Sequence, residues 1–505
     1  MKKLCFWNFA ALGLITALLM FTGCGSGSSN SSETNQQQPP AVALTRLSSD
    51  PYTNASSQHA TEVEPDTFAF GSTVVSAFQV ARISQGGGAD IGFATTTDGG
   101  TTWSSGFLPG ITIFQDGGSF SAASDAAVAY DAAHATWLIS SLGLGATNHV
   151  LVSRSLDGIT WNGPIAVSTG GDPDKNWIVC DNRASSPFFG HCYVEWDDVA
   201  AQDRIQMSTS TDGGMTWGAA QATANSATGL GGQPLVQPNG KVIVPILGIS
   251  NTMLAFSSSD GGTTWSSATL VADVTDHAEH GGLRSSPLLS AEIDSAGTVY
   301  VVWSDCRFRT NCTANDLVLS KSSDGVTWSR PARIPIDPTA STVDHFIPGL
   351  AVDPATSGNS AHLGVAYYYY PTSNCGSVCN MNVGFVSSQD GGSTWSAAEQ
   401  LAGPMMTNWL PNTFSGRMVA DYISTSYVNG KAIAVFAVAK TPNGNGFDQA
   451  IYTPTMSPAQ AGAHFSSAGE KPVAHAKSDH GRRRFYDLDH EHPIPPRRRA
   501  SRAAK

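Results

Sequence analysis

The chain has 505 residues, 28 Lys+Arg against 40 Asp+Glu and a formal net charge of −12, which argues against a body that binds nucleic acid or another polyanion. Charged residues make up 13% and Gly numbers 51, and helical periodicity is nearly absent, so a helical bundle is excluded in favour of an all-β repeat fold. Eight cysteines in a chain that opens on an apolar leader point to an oxidising compartment.

Lys2 and Lys3, an apolar run over 10–20 and then Phe21-Thr22-Gly23-Cys24 read as a lipoprotein-type signal over 1–24, with Cys24 as the acylated residue. Residues 25–40, rich in Gly, Ser, Asn, Gln and Pro, have the composition of a flexible tether. Together they predict an exported protein held at the envelope by an N-terminal lipid anchor.

From 41 to 456 one pattern, Ser/Thr-x-Asp-(Gly)-Gly-x-Thr-Trp, recurs six times. Its aspartates are Asp98, Asp157, Asp212, Asp260, Asp324 and Asp390, spaced 48 to 66 residues apart, about one four-stranded sheet per repeat. Each copy follows an apolar strand, as at 91–95 or 317–320, and precedes a polar one. It therefore reads as a turn in which the aspartate accepts backbone N–H bonds, glycine supplies positive φ and tryptophan packs back on the sheet. Strands at 66–71, 73–80, 91–95 and 103–108 form the first unit, and the order repeats. After the sixth turn, 417–426, 432–439 and 449–453 lack a fourth partner, which 42–48 supplies by pairing the two ends of the chain. The expected fold is a β-propeller of seven four-stranded antiparallel blades, with six blades as the alternative.

Six cysteines fall in close pairs, Cys180 with Cys192, Cys306 with Cys312 and Cys375 with Cys379, and are expected as three local disulfides rather than a zinc site. From Lys471 onward the chain carries 10 Lys/Arg against 4 Asp/Glu without apolar periodicity, so 457–505 reads as a disordered basic tail.

In a propeller the innermost strand starts, and the second strand ends, at one face around the channel, opposite the repeated turns. Glu62, Glu64 and Arg82 fall there, with Gln79, Asp125, Asp174, Lys175, Glu195, Asp197, Asp198, Gln233, Arg284, Asp305, Arg307, His345, Arg417, Asp421 and Tyr422. Converging charges of both signs suit a polar ligand. A third reading has Glu62, Glu64 or Asp197 serving a lyase or another glycosidase. No cofactor is expected, with Ca²⁺ among Asp174, Asp197 and Asp198 as the one candidate.

The six turns resemble the Asp-box, or bacterial neuraminidase repeat, of the sialidase superfamily. Arg284-Ser285-Ser286-Pro287, then Gly297, the strand 299–303, Asp305-Cys306-Arg307 and the turn at Asp324 are similar to that family's opening elements. The resemblance implies an arginine clamp for a carboxylate from Arg284, Arg307 and Arg417, with Asp305 as proton carrier and Tyr422 as nucleophile. It departs in that the Arg284 element lies in the fifth repeat and no Glu/Tyr pair is assigned. His59 to Asp66 and Asp174 to Trp177 are similar to secreted sialidase-like propellers, which implies a branch whose substrate is not sialic acid. The expected activity is recognition, and possible exo-glycosidic release, of a terminal acidic sugar by a monomer. The alternative is a binding module for glycan or protein without catalysis.

Overall fold

The computed structural model describes residues 42–442, 444, 446–455 and 465–473. The signal, Cys24, the tether and the rest of the tail lie outside the described residues. The body is all-β; its helical segments among the described residues are short 3₁₀ turns.

Four-stranded antiparallel arrays follow one another in chain order. The first comprises Glu62–Phe70, Thr73–Arg82, Gly88–Thr96 and Ser104–Phe107. A single bridge, Gly88 to Ala123, joins it to the second, Ala122–Asp131, Thr136–Leu144, His149–Ser155 and Ile165–Ser168. The third is Pro173–Cys180, Cys192–Asp198, Arg204–Ser210 and Gln221–Ala222. In the fourth, two short strands, Gly229–Leu230 and Leu235–Val236, both pair with Val242–Gly248, which is followed by Thr252–Ser258 and Thr269–Asp273. Ser290–Ile293, Val299–Asp305, Asp316–Ser322 and Ala332–Arg333 form the fifth, and Asp344–Val352, Leu363–Tyr370, Asn380–Ser388 and Glu399–Met406 the sixth. The last array holds Ser424–Val428, Lys431–Ala439 and Gln449–Pro454, and its fourth strand is Leu44–Arg46 from the other end of the chain, with Thr45 opposite Thr453.

The repeated turns carry the hydrogen bonds their composition requires. Asp260 Oδ1 accepts from Thr264 N at 3.0 Å and Ser258 Oγ at 2.8 Å, while Oδ2 takes Thr264 Oγ1 at 2.6 Å. The same set recurs at Asp98, Asp212 and Asp390. These charge-assisted bonds hold the exposed carboxylates of Asp98, Asp157 and Asp324 at about 2. Trp161, Trp265 and Trp395 are buried under their turns. Local chemistry alone therefore builds these turns, on the edge away from the charged rim.

All three expected disulfides are present, and Cys180–Cys192 ties two directly opposed residues of the third array. Two details differ from expectation. Arg417 does not begin the inner strand of the last array. Gly416, at φ 141°, allows Gly416–Arg417 to fold back on Asn412–Thr413, and the inner strand starts at Ser424. Residues 465–473, inside the expected basic tail, run along the outside of the arrays. Phe465 exchanges backbone hydrogen bonds with Trp395, Glu470 lies 3.6 Å from Arg333, and Val473 N donates to Arg307 O.

Candidate functional site

The inner strands of the first, second, third and sixth arrays share one irregularity. Each slips register near its start, between Val63 and Asp66, Ser124 and Ala127, Asp174 and Trp177, and Phe346 and Gly349. At each slip a non-glycine residue takes a left-handed φ: Glu64 (55°), Asp125 (50°), Lys175 (49°) and Ile347 (49°). A β-bulge re-aims the side chain it carries, at a cost in strain of the order of 1 kcal/mol or more per residue. Three of the four re-aimed residues are charged, and those three meet.

Lys175 Nζ binds Asp421 Oδ2 and stands 3.8 Å from Glu64 Oε1 and 3.9 Å from Asp125 Oδ1. Arg284 Nη2 binds the same Asp421 oxygen. Gln79 donates to Glu64 and, at 3.0 Å, to Ser124, and Arg82 Nη1 holds Gln79 Oε1 at 3.0 Å. All of these charged side chains are buried. Burial opposes the charge on Asp421, but Arg284 and Lys175 outweigh it and hold the carboxyl below its ordinary value. Burial likewise opposes the Lys175 ammonium, and Asp421, Asp125 and Glu64 raise it well above the usual lysine value. Six charged residues expected at this face, Glu64, Arg82, Asp125, Lys175, Arg284 and Asp421, thus belong to one ionic knot.

Beside the knot is a small, half-open depression lined by Lys175, Asn176, Trp177, Gly231, Gln233, Leu288, Leu289 and Tyr422. The Trp177 and Tyr422 rings meet edge to face at 5.2 Å, and Tyr422 donates its hydroxyl proton to Ala126 O at 3.1 Å. Behind the wall, Glu195 stands opposite Trp177 and Asp197 opposite Asp174. Burial pushes both carboxyls well above their ordinary values, and for Asp197 the neighbouring Asp174, Glu195 and Asp203 push further in the same direction.

The other expected residues lie apart from this depression. Asp305 accepts from Arg307 N, Nε and Nη2, from Thr275 N and Oγ1, and from Trp303 Nε1, so both oxygens are occupied. Arg417 Nη1 donates to Gly281 O at 3.1 Å and Ser377 O at 3.3 Å, and its backbone pairs with that of the Gly282–Arg284 stretch. Arg284, Arg307 and Arg417 therefore have separate partners: Asp421, Asp305 and main-chain carbonyls. Glu62 is bound by Ser48 Oγ at 2.7 Å and lies 3.6 Å from Arg46. His345 Nδ1 contacts Asn315 O at 3.1 Å, and its ring packs edge-on to Tyr367.

Among the described residues two groups bring three ligand-type atoms within 4.8 Å of one another: Asp131, Cys180 and Cys192, and Asp316, Asp337 and His345. The cysteines of the first are spent in a disulfide, and the acids of the second bind Arg309 and Arg333. Asp198, expected with Asp174 and Asp197 around Ca²⁺, accepts from Asp172 N at 3.0 Å. In a second acidic group, Asp276 and Glu279, unread in the sequence, join Asp344, a first-face residue, with His277 Nε2 at 3.7 Å from Asp344 Oδ2. Burial pushes Glu279 up to about 7 and lowers His277. The signal was available in Asp276-His277-Ala278-Glu279-His280, where four titratable residues fall within five positions.

No family model and no curated protein matches the chain. Among solved structures, an ulvan lyase of polysaccharide lyase family PL25 is similar at a TM-score of 0.45 and 10% identity, over 85% of this chain and 100% of that one. A Trypanosoma rangeli sialidase gives 0.43 and 12%, over 82% and 60%. The Hadza microbial sialidase Hz136 gives 0.40 and 18%, over 61% of this chain, which spans 64% of that protein's length. At these identities none of them assigns a role to a residue of this chain.

Proposed function

We propose that this chain is an exported, lipid-anchored propeller that recognises the terminal sugar of a glycan at its central depression and releases it hydrolytically. Seven blades in a closed ring are favoured by hydrogen bonds that pass from array to array. Asp66 accepts from Val128 N, Asn176 reaches Ser140, Gln233 accepts from Ala291 N, Ser290 accepts from Leu350 N and Thr425 reaches Gly349 O. Thr67 then meets Ser424 and Ser426, last array to first.

The observation that carries the glycan reading is the depression itself. An aromatic pair, Trp177 and Tyr422, shares the lining with Asn176 and Gln233, residue types that take the apolar face and the hydroxyls of a sugar. Hydrolysis is the activity suggested by the likeness of the six turns to those of sialidases. Binding without catalysis is the second reading. It is favoured by Tyr422, which donates its proton to Ala126 O, and by Asp305, whose oxygens are filled.

A panel of fluorogenic glycosides, a sialoside included, offered to the purified protein separates the two. Release of fluorophore establishes hydrolysis, and its loss in Trp177→Ala but not in Arg417→Ala, which lies apart from the depression, would tie it to that site. A folded protein that binds a glycan array and turns over no substrate supports the second reading. Anchoring at Cys24 predicts incorporation of a fatty-acid probe in cells, abolished by Cys24→Ser; equal labelling of both would remove the anchor.

A further inference from the structure

The acids on and beside the loop 273–280 lack the cations that their neighbours have. Asp305, Asp316 and Asp421 each bind an arginine. Among the described residues no lysine or arginine forms an ion pair with Asp276, Glu279 or Asp344, and the charged contact present is His277 Nε2, 3.7 Å from Asp344 Oδ2. Asp344 is fully buried, and its Oδ2, Asp276 Oδ1 and His277 Nε2 have no hydrogen-bond partner among the described residues. The charges acting on Asp276 are those of Glu279, Asp344 and Asp305, all of one sign, while Arg309, which eases Asp344, is itself bound to Asp316 and Asp337. Such a group is short of positive charge. Its outer side is open: Asp273 is exposed, and His277, Glu279 and His280 are half-buried.

A basic segment of this same chain leaves the described body at that loop. Residues 465–473 run along the outside of the arrays from the Trp395 turn, past Arg333, to Val473, whose N–H donates to Arg307 O at 2.7 Å. Arg307 in turn donates from Nη2 to Asp273 O, and beside it Cys306 N donates to Thr275 O at 2.8 Å. Lys477 follows four residues after Val473 and Arg482-Arg483-Arg484 begins nine after it, with Asp479 the one acid in residues 477–484. Four extended residues span about 13 Å and nine about 30 Å, enough to cross a loop whose backbone is bonded to Arg307. We propose that residues 477–484 dock in cis on the loop 273–280, with direct contact at Asp273 and Glu279, and supply the positive charge that this acidic group lacks. Exposed ion pairs contribute little singly. A tether this short, however, holds the two partners at an effective concentration in the mM range, so a weak contact suffices to keep them together. An external polyanion competes for the same basic run, which makes the contact a latch that such a polymer opens.

Limited trypsin digestion of the intact chain tests this, because cleavage after residues 482–484 follows the population of undocked tail. The Asp273→Asn/Glu279→Gln double variant should lose its tail about fivefold or more faster than wild type. About 0.5 M salt should abolish the difference, with a synthetic peptide of residues 474–505 digested alongside to correct for salt effects on the protease. Zero-length carbodiimide coupling, read by peptide mass spectrometry, should join Lys477 to Asp273 or Glu279 within one chain. Changing Arg482, Arg483 and Arg484 together to Gln should cut that coupling yield severalfold. This variant leaves every residue of the loop in place, so it decides the matter even where Glu279→Gln loosens the loop itself. Equal cleavage rates without the Lys477 cross-link overturn the inference, as do cross-links that join two chains or a coupling yield that ignores the three arginines.

Discussion

The thermal midpoint of the folded body should fall as pH is raised from 5 to 8. Burial pushes Glu62 and Asp66 up to about 7 and Asp90 up to about 8, even though Ser48, the Val128 amide and Tyr52 respectively favour their ionised forms. An unfolded carboxyl titrates near ~4, so between ~4 and these values the folded chain holds protons that the unfolded chain has lost. Stability from these groups is complete below ~4 and drains away as pH rises through 7 to 8, by about 1.4 kcal/mol per group for each pH unit in that window. The turn aspartates work in the opposite direction, but with values near 2 for Asp98, Asp157 and Asp324 their contribution is lost only in strong acid. The optimum is therefore mildly acidic. Differential scanning calorimetry should show a drop on the order of 5 °C or more between pH 5 and pH 8. Asp66→Asn, which removes one of the groups while an amide oxygen can still accept from Val128 N, should flatten the curve and raise the midpoint at pH 8. A midpoint that stays level or rises over this range would show that these carboxyls are solvated.

What the sequence disclosed, and what it withheld, follows from the range of the interactions. The repeated turns are written within eight residues, because the aspartate, its donors and the glycines are all local. The disulfides are equally legible, since Cys180 and Cys192 bracket one hairpin. Pairing of 44–46 with 452–454 was readable from the shortage of strands at the C-terminal end. The ionic knot was only half readable. Glu64, Lys175, Arg284 and Asp421 declare themselves as charges at one face, but that Asp421 is the meeting point is not legible, since it is 246 residues from Lys175 and 137 from Arg284. Nor does any glycine announce the left-handed bulges that turn Glu64, Asp125 and Lys175 inward. The expected arginine clamp came from motif likeness, and motif likeness carries no information about which acid each arginine meets first.

Replacing Lys175 by methionine should cost about 3 to 5 kcal/mol of folding stability at neutral pH, the range for removing one partner of a buried ion pair. The ammonium is buried among three carboxylates contributed by the first, second and last arrays, while Lys175 itself belongs to the third. Its loss leaves Arg284 as the remaining bonded cation on Asp421 and removes the charge that Glu64 and Asp125 share. Asp421→Asn should be costly for the converse reason, since Lys175 and Arg284 then lose their common acceptor. The double variant should be less destabilised than the sum of the two single ones, because each single change strands a charge that the other removes. Urea unfolding of the four proteins at pH 7 measures this coupling, and single-variant losses within about 1 kcal/mol of wild type would mean that the knot is hydrated and merely decorates the channel. Repeating the series at pH 5 adds a second constraint. Carboxyls stranded by the lysine's removal can take up protons there, so the Lys175→Met loss should shrink on acidification, opposite to what a purely steric defect in packing would give.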